Sequence, residues 1–359
     1  MTGPVRVAVL GLGWAARHIW LQRLLRHPGY AVTAVVDPDP QARAAVQADA
    51  PAVRVLADVA HLDPAEVDLA VVAVPNHLHA DIAARLLRQG LTVFVEKPVC
   101  LTSDEADALA AAERVGRGRL LAGSAARHRA DVRALYEAAQ EVGELRHVEA
   151  SWVRARGVPG AGGWFTDRRR AGGGALLDLG WHLFDVLSPV LGDPVYQQVV
   201  GTTSEDFVAV GDGGATWRRD DAGGSGDVED TARGFLVTDA GVSVALRASW
   251  ASHEPLDVTR LVVEGSAARL ELSCTFGFSP NRVGESSLHI VRDGRRQALP
   301  LAGEPVGAEY DRQLDQLLPI LSDPSAQGRA VAEAQRTIGL IERLYESARR
   351  RPAVAAASR

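Results

Sequence analysis

Lysine is almost missing from this chain of 359 residues: Lys97 stands alone among 39 basic residues, and the remaining 38 are arginine. Asparagine occurs only as Asn76 and Asn281, and methionine only at position 1. These scarcities, beside abundant alanine, glycine and arginine, mark a GC-rich coding sequence that uses arginine wherever either cation serves. A lysine kept under that bias points to a site that needs an ammonium rather than a guanidinium. The plainer alternative is a surface residue left by chance, and the neighbourhood must decide. Cys100 and Cys274 are too few for a disulfide framework and form no C-x-x-C pair, so a reducing cytoplasm is the expected compartment. No apolar run approaches the ~18 residues of a membrane span, and the opening residues lead straight into a strand-like segment, so neither membrane span nor signal peptide is expected. The net charge of −6 argues against nucleic acid as a partner. There is no internal repeat, and the Gly/Asp-rich stretch 211–226 reads as a surface insertion rather than a lid.

What is present is a βαβα alternation over residues 1–122. Val5–Leu10 is a continuous apolar run suited to a strand buried on both faces of a parallel sheet. Further strands are predicted at 31–36, 69–74, 92–95 and 120–122, with helical stripes after 19, after 82 and over 103–114. The fold class is therefore α/β plus α+β: an N-terminal doubly wound parallel sheet of the Rossmann type over 1–122, then a second domain over 123–359. Gly11-Leu12-Gly13-Trp14-Ala15-Ala16 follows the first strand and opens a helix. Gly11 permits the tight turn, Gly13 lets backbone approach a pyrophosphate, and Ala16 allows close helix packing. Asp37 ends the second strand, where it can accept hydrogen bonds from a ribose diol and repel a 2′-phosphate, so NAD is favoured. Arg43 keeps NADP open. The plainer reading of Asp37 is a cap for the next helix.

Lys97 lies in Glu96-Lys97-Pro98, at the carboxyl end of a predicted parallel strand, and Asn76 follows another strand end after Pro75. That rim is where open α/β sheets bind ligands. At this point the chain resembles the Gfo/Idh/MocA family, named for glucose–fructose oxidoreductase and inositol dehydrogenase. The resemblance rests on Gly11-Leu12-Gly13, Pro75-Asn76-His77-Leu78-His79, Glu96-Lys97-Pro98 and the run from Gly172-Gly173-Gly174 through Asp178 to His182. Glu229-Asp230-Thr231, Trp250, Glu264-Gly265-Ser266 and Ile341–Tyr345 extend it over nearly the whole chain. It implies a dinucleotide-binding domain, a second domain with an open-faced, mostly antiparallel sheet, and reversible hydride transfer between nicotinamide and a hydroxyl of a sugar, aminosugar or cyclitol.

Oxidising a secondary alcohol requires a hydride acceptor, a base for the hydroxyl proton and a cation near the developing alkoxide. The resemblance assigns Lys97 to the reacting oxygen and His182 to the proton, with Asp178 beside them. It assigns Gly11, Leu12, Gly13, Trp14, Ala15, Asp37, Pro75, Asn76, His79, Glu96 and Lys97 to the cofactor. Asp178 and His182 stand four apart in a segment read as helical over 175–191, with Asp185 a turn further on, so a carboxylate could orient the imidazole. A metal on these three is the weaker reading, because one helix supplies too few ligands. For His79 a helix-start hydrogen bond is as good an account as packing near nicotinamide.

Arg127, Trp152, Arg154 and Trp164 are the substrate candidates beside Asp178 and His182. Trp152, Arg154 and Arg156 alternate, and so face one side of a strand; Arg168–170 read more plainly as a solvated loop. Strands are predicted at 233–237, 242–250, 258–264 and 268–272, and late helices at 308–321 and 331–350. The outer sheet face, with Leu246 and Trp250 as candidates, calls for a homodimer or homotetramer. The competing functions are a ketoreductase of a nucleotide-linked sugar, whose diphosphate the arginines would bind, transient oxidation driving elimination or epimerisation, and a non-catalytic dinucleotide sensor.

Overall fold

The computed structural model describes residues 3–116, 118–160, 163–211, 213–215 and 226–350. Most of the Gly/Asp-rich stretch 211–226 therefore lies outside the described residues. The chain forms two compact units: Met1–Ala125 with Gly307–Ile338, and Ala126–Val306 with Gly339–Arg359. The expected continuous second domain over 123–359 is thus interrupted, because the helix Ala308–Ser322 is bound into the first unit. Tyr30 donates to the Leu314 carbonyl at 2.7 Å, His27 meets Asp315 at 2.9 Å, and Arg23 meets Asp311 at 3.1 Å.

The first unit is a six-stranded parallel sheet in the order β3-β2-β1-β4-β5-β6. Its strands are β1 (Val5–Leu10), β2 (Tyr30–Val36), β3 (Arg54–Leu56), β4 (Leu69–Val72), β5 (Thr92–Val95) and β6 (Leu120–Ala122). Helices on both faces explain the unbroken apolar runs: every residue of β4 is buried, and five of the six in β1. The strand order reverses between β1 and β4, which opens a crevice at their carboxyl ends.

The second unit is an eight-stranded sheet, β14-β13-β12-β11-β7-β10-β9-β8, antiparallel except for the β7–β10 pair. Its strands are β7 (Leu145–Val153), β8 (Tyr196–Ser204), β9 (Thr231–Thr238), β10 (Ser243–Ser249), β11 (Val258–Gly265), β12 (Arg269–Cys274), β13 (Ser287–Arg292) and β14 (Arg295–Leu299). Helices Ala130–Ala139 and Trp181–Leu191 pack on one face. The other face is open, but not where the sequence placed it. Leu246 is 3% exposed and Trp250 fully buried, whereas Val200 and Phe235, paired across β8 and β9, are 57% and 49% exposed. The alternation in β10 was assigned the wrong parity: Ala245, not Leu246, is in register with Phe235.

Candidate active site

In the first unit, Gly11 has φ +86°, and a Cβ there would lie 2.6 Å from the Ala73 carbonyl oxygen. No side chain fits that turn. A Cβ at Gly13 would meet nothing within 4 Å, so the loop presents bare backbone beside open space. The Leu12 N–H donates to Asp37 Oδ2 at 2.6 Å, and the Asp39 N–H donates to Oδ1 at 2.8 Å. Asp37 thereby ties the glycine loop to the end of β2, while a carboxylate retains lone pairs for further donors. Arg43 donates to the Asp37 and Pro38 carbonyls at 2.7 and 3.0 Å, and so is tied to backbone beside that carboxylate. The helix opens at Trp14, whose ring stacks on His18 at 5.3 Å, so its N-terminus lies at the glycine loop. Bare backbone, a helix N-terminus and a carboxylate with lone pairs to spare fit a dinucleotide.

The helix is not regular. Ala16–Leu21 is π-helical, a wider turn associated with functional sites. Along the same rim, Pro75 and buried Asn76 follow β4. His79 is fully buried, its Nδ1 2.7 Å from the Pro98 carbonyl and its Nε2 2.8 Å from the Val74 carbonyl. Burial pushes its pKa down, against the pull of those two carbonyls. A neutral ring donates to one of them and pins Val74 or Pro98, which is a bracing role. Glu96 turns inward: Oε1 accepts from the Trp20 indole N–H at 2.6 Å and Oε2 from the Lys97 N–H at 2.9 Å. Glu96, expected among the cofactor contacts, is a buried residue whose carboxylate accepts from within the protein. Lys97 itself is partly buried, and its peptide bond to Pro98 is cis.

In the second unit, Gly172 closes the short helix Arg168–Ala171 with φ +86°. Arg168, Arg169 and Arg170 are exposed there, as expected, but on a helical turn rather than in a loop. Gly173 and Gly174 then pack where no side chain can: added Cβ atoms would lie 2.1 Å from Tyr345 Oη and 1.8 Å from the Glu229 carbonyl oxygen. Buried Glu229 caps the helix that follows, its Oε1 accepting from the Gly174 and Leu176 N–H groups, both at 3.0 Å, and from Tyr345 Oη at 2.7 Å. Burial pushes both the Glu229 and Tyr345 pKa values up. Glycines, Glu229 and Tyr345 are one packing unit, and their sequence separation concealed that they meet.

The capped helix begins with a π-helical turn, Leu176–Gly180, that carries Asp178, and continues as Trp181–Leu191 with His182. Asp178 accepts from the buried Trp250 indole N–H at 2.8 Å. Asp185 binds Arg127, whose Nη2 reaches Oδ1 at 2.7 Å while Nε donates to the Asp185 carbonyl at 2.9 Å. Asp178 and Asp185 thus take partners the four-residue spacing did not suggest, and Arg127 holds its own unit's helix. Around His182 the structure gathers Trp152, at 5.5 Å between ring centroids, and Arg154, stacked on Trp152 at 4.9 Å; Phe276 lies edge-on to Trp152. Trp152 Nε1 is buried without a hydrogen-bond partner among the described residues. Trp164 packs on Phe165, which packs on Trp250, the residue that donates to Asp178; Arg156 is exposed. Among the described residues, no group of three or more His, Cys, Asp or Glu is placed to hold a metal ion, and no helix is long and apolar enough to cross a membrane.

A switch-point crevice beside a bare glycine loop is the architecture of a dinucleotide-binding domain. Comparison with known proteins is more specific. The model of the oxidoreductase family with an NAD-binding Rossmann fold matches residues 5–124, and the GFO/IDH/MocA C-terminal domain matches residues 130–271. The chain belongs to the Gfo/Idh/MocA family and carries its NAD-binding domain. It is 56% identical over 345 residues, 96% of each chain, to a protein of Amycolatopsis mediterranei (strain S699) provisionally named the UDP-kanosamine synthase oxidoreductase subunit. Among solved structures it is similar to GenD2 from gentamicin A biosynthesis in complex with NAD (TM-score 0.76, 24% identity, 98% of this chain and 95% of that one). It is similar also to KijD10, a 3-ketoreductase from Actinomadura kijaniata, in complex with NADP and TDP-benzene (TM-score 0.75, 22% identity, 96% and 98%). At those identities the two structures speak for the fold.

Proposed function

We propose that this protein transfers a hydride between NAD and a secondary carbinol of the hexose in a UDP-linked sugar, interconverting hydroxyl and ketone. The observation that carries this is the 56% identity, end to end, with the UDP-kanosamine synthase subunit. It favours the nucleotide-linked alternative over a free sugar or cyclitol. Bound NAD supplies the hydride acceptor. The Lys97 ammonium stabilises charge developing on the reacting oxygen, and His182 takes the hydroxyl proton. Asp178, held by Trp250, accepts a hydrogen bond from a neighbouring hydroxyl, and the Trp152–Arg154 pair beside His182 supplies an apolar face and a cation for the substrate. In this reading the enzyme is cytoplasmic, and a second copy covers the open sheet face around Val200 and Phe235, as a homodimer or homotetramer requires.

The test is NADH formation, followed by absorbance, with UDP-linked hexoses, free hexoses, aminosugars and myo-inositol, and NADH oxidation with the matching ketosugars. A UDP-hexose should give the highest kcat/KM. Preference for a free sugar or cyclitol would overturn the nucleotide-linked reading, and no turnover with any pair would leave the dinucleotide sensor. Asp37 governs the cofactor: fluorescence titration should show NADH binding more tightly than NADPH. Asp37→Ala should raise the NADH Kd roughly 10- to 100-fold, because it removes charged hydrogen bonds to the diol and frees the Leu12 N–H. A wild-type preference for NADPH would contradict the assignment.

A further inference from the structure

Trp20 and Glu96 form a buried contact that the proposed chemistry does not use. Trp20 is fully buried within the π-helical stretch of the glycine-loop helix, its ring edge-on to Phe94 of β5 at 4.8 Å and to Tyr310 at 5.6 Å. Core packing accounts for the ring. It does not account for the N–H, which meets Glu96 Oε1 at 2.6 Å, while Oε2 of the same carboxylate takes the Lys97 N–H at 2.9 Å. Gly123, just after β6, closes the other side: a Cβ there would lie 3.3 Å from the Lys97 nitrogen and 3.5 Å from Glu96 Oε2. A buried carboxylate is a costly brace unless donors are aimed at both oxygens. Here the π-helical turn changes the helical phase of Trp20 relative to a regular α-helix, and so directs its indole to the end of β5.

We propose that Trp20 and Glu96 are positioning residues for Lys97. Through the carboxylate, the glycine-loop helix fixes the Lys97 backbone and with it the origin of the lysine side chain. The inference rests on the reading that Lys97 acts at the reacting oxygen. Because a displacement of about 1 Å at a reacting group can cost about 100-fold in rate, the tie should act on turnover more than on cofactor affinity.

Glu96→Gln is isosteric: its amide oxygen can still accept from Trp20, while its NH2 group cannot accept from Lys97. It should lower kcat roughly 10- to 100-fold, keep the NADH Kd within a small factor of wild type, and accelerate amide hydrogen exchange at Lys97. Trp20→Phe, which keeps the ring and removes the donor, should show the same split. The double variant should be no worse than the more impaired single variant, since both break one tie. A merely structural role would instead lower thermal stability and NADH affinity with kcat intact, or give independent, multiplicative losses; either result overturns the proposal. Lys97→Arg separates the two levels. Loss of turnover in that variant with normal turnover in Glu96→Gln refutes the positioning role alone, whereas normal turnover in Lys97→Arg refutes the reading beneath it.

Discussion

Lys97→Arg is expected to lower kcat by about two to three orders of magnitude, the loss seen when one preorganised donor to a transition-state oxyanion is removed, with NADH still bound. The charge is conserved, so an effect of this size would have to come from shape. An ammonium is a compact point charge with rotating donors; a guanidinium is planar, wider and fixed in its fork. Lys97 emerges from the last turn of a strand end where Glu96, Pro98, Val99 and Cys100 are all buried, leaving the longer side chain little freedom to withdraw. The composition sharpens the expectation, because 38 other basic positions of this chain are arginine. Steady-state kinetics with the preferred sugar and fluorescence titration of NADH check it together. Turnover near wild type would remove Lys97 from the chemistry and return it to the residues left by chance.

The first unit was legible because a sheet covered on both faces writes its strands as unbroken apolar runs. The predicted ranges for β1, β5 and β6 coincide with those observed. β3 was not read: three residues at the sheet edge, Arg54–Leu56, carry no periodicity. Nor was β14, whose residues Arg295–Ala298 are all exposed. The limits at the candidate site have a different physical cause. A glycine loop and an acid at a strand end are local patterns with local reasons, so sequence places them. Hydrogen bonds between residues far apart leave no such trace: nothing local singles out Trp20, whose partner Glu96 is 76 residues away. The spacing of Asp178, His182 and Asp185 invited a carboxylate–imidazole pair; it carried no sign that Asp178 would also meet Trp250, or Asp185 meet Arg127. Trp152 and Arg154 do meet, although β7 ends at Val153 and Arg154 lies just beyond it, so the contact joins near neighbours at a strand end rather than one face of a continuing strand.

Gly174→Ala is expected to be the most destabilising single methyl in the second unit. Its Cβ would stand 1.8 Å from the Glu229 carbonyl oxygen and 2.8 Å from the carbonyl carbon, so the obstacle is backbone rather than the movable end of a side chain. Relief requires Gly174 and Glu229 to part, which would break the bonds from Gly174 and Leu176 to Glu229 Oε1 and from the Ala175 N–H to the Glu229 carbonyl at 3.0 Å. Glu229 is buried and its pKa already raised by that burial, so a carboxyl stripped of backbone donors has no solvent to replace them. Overpacking combined with a lost buried network belongs to the few mechanisms that exceed about 4 kcal/mol, which for a unit of this size lowers Tm by roughly 8–16 °C. Gly284→Ala is the control, since a Cβ there meets nothing within 4 Å. The cap also starts the helix that carries Asp178 and His182, so turnover in Gly174→Ala should fall further than the folded fraction does. Equal Tm values for the two glycine variants in a thermal melt would show that the helix start is not held by Glu229.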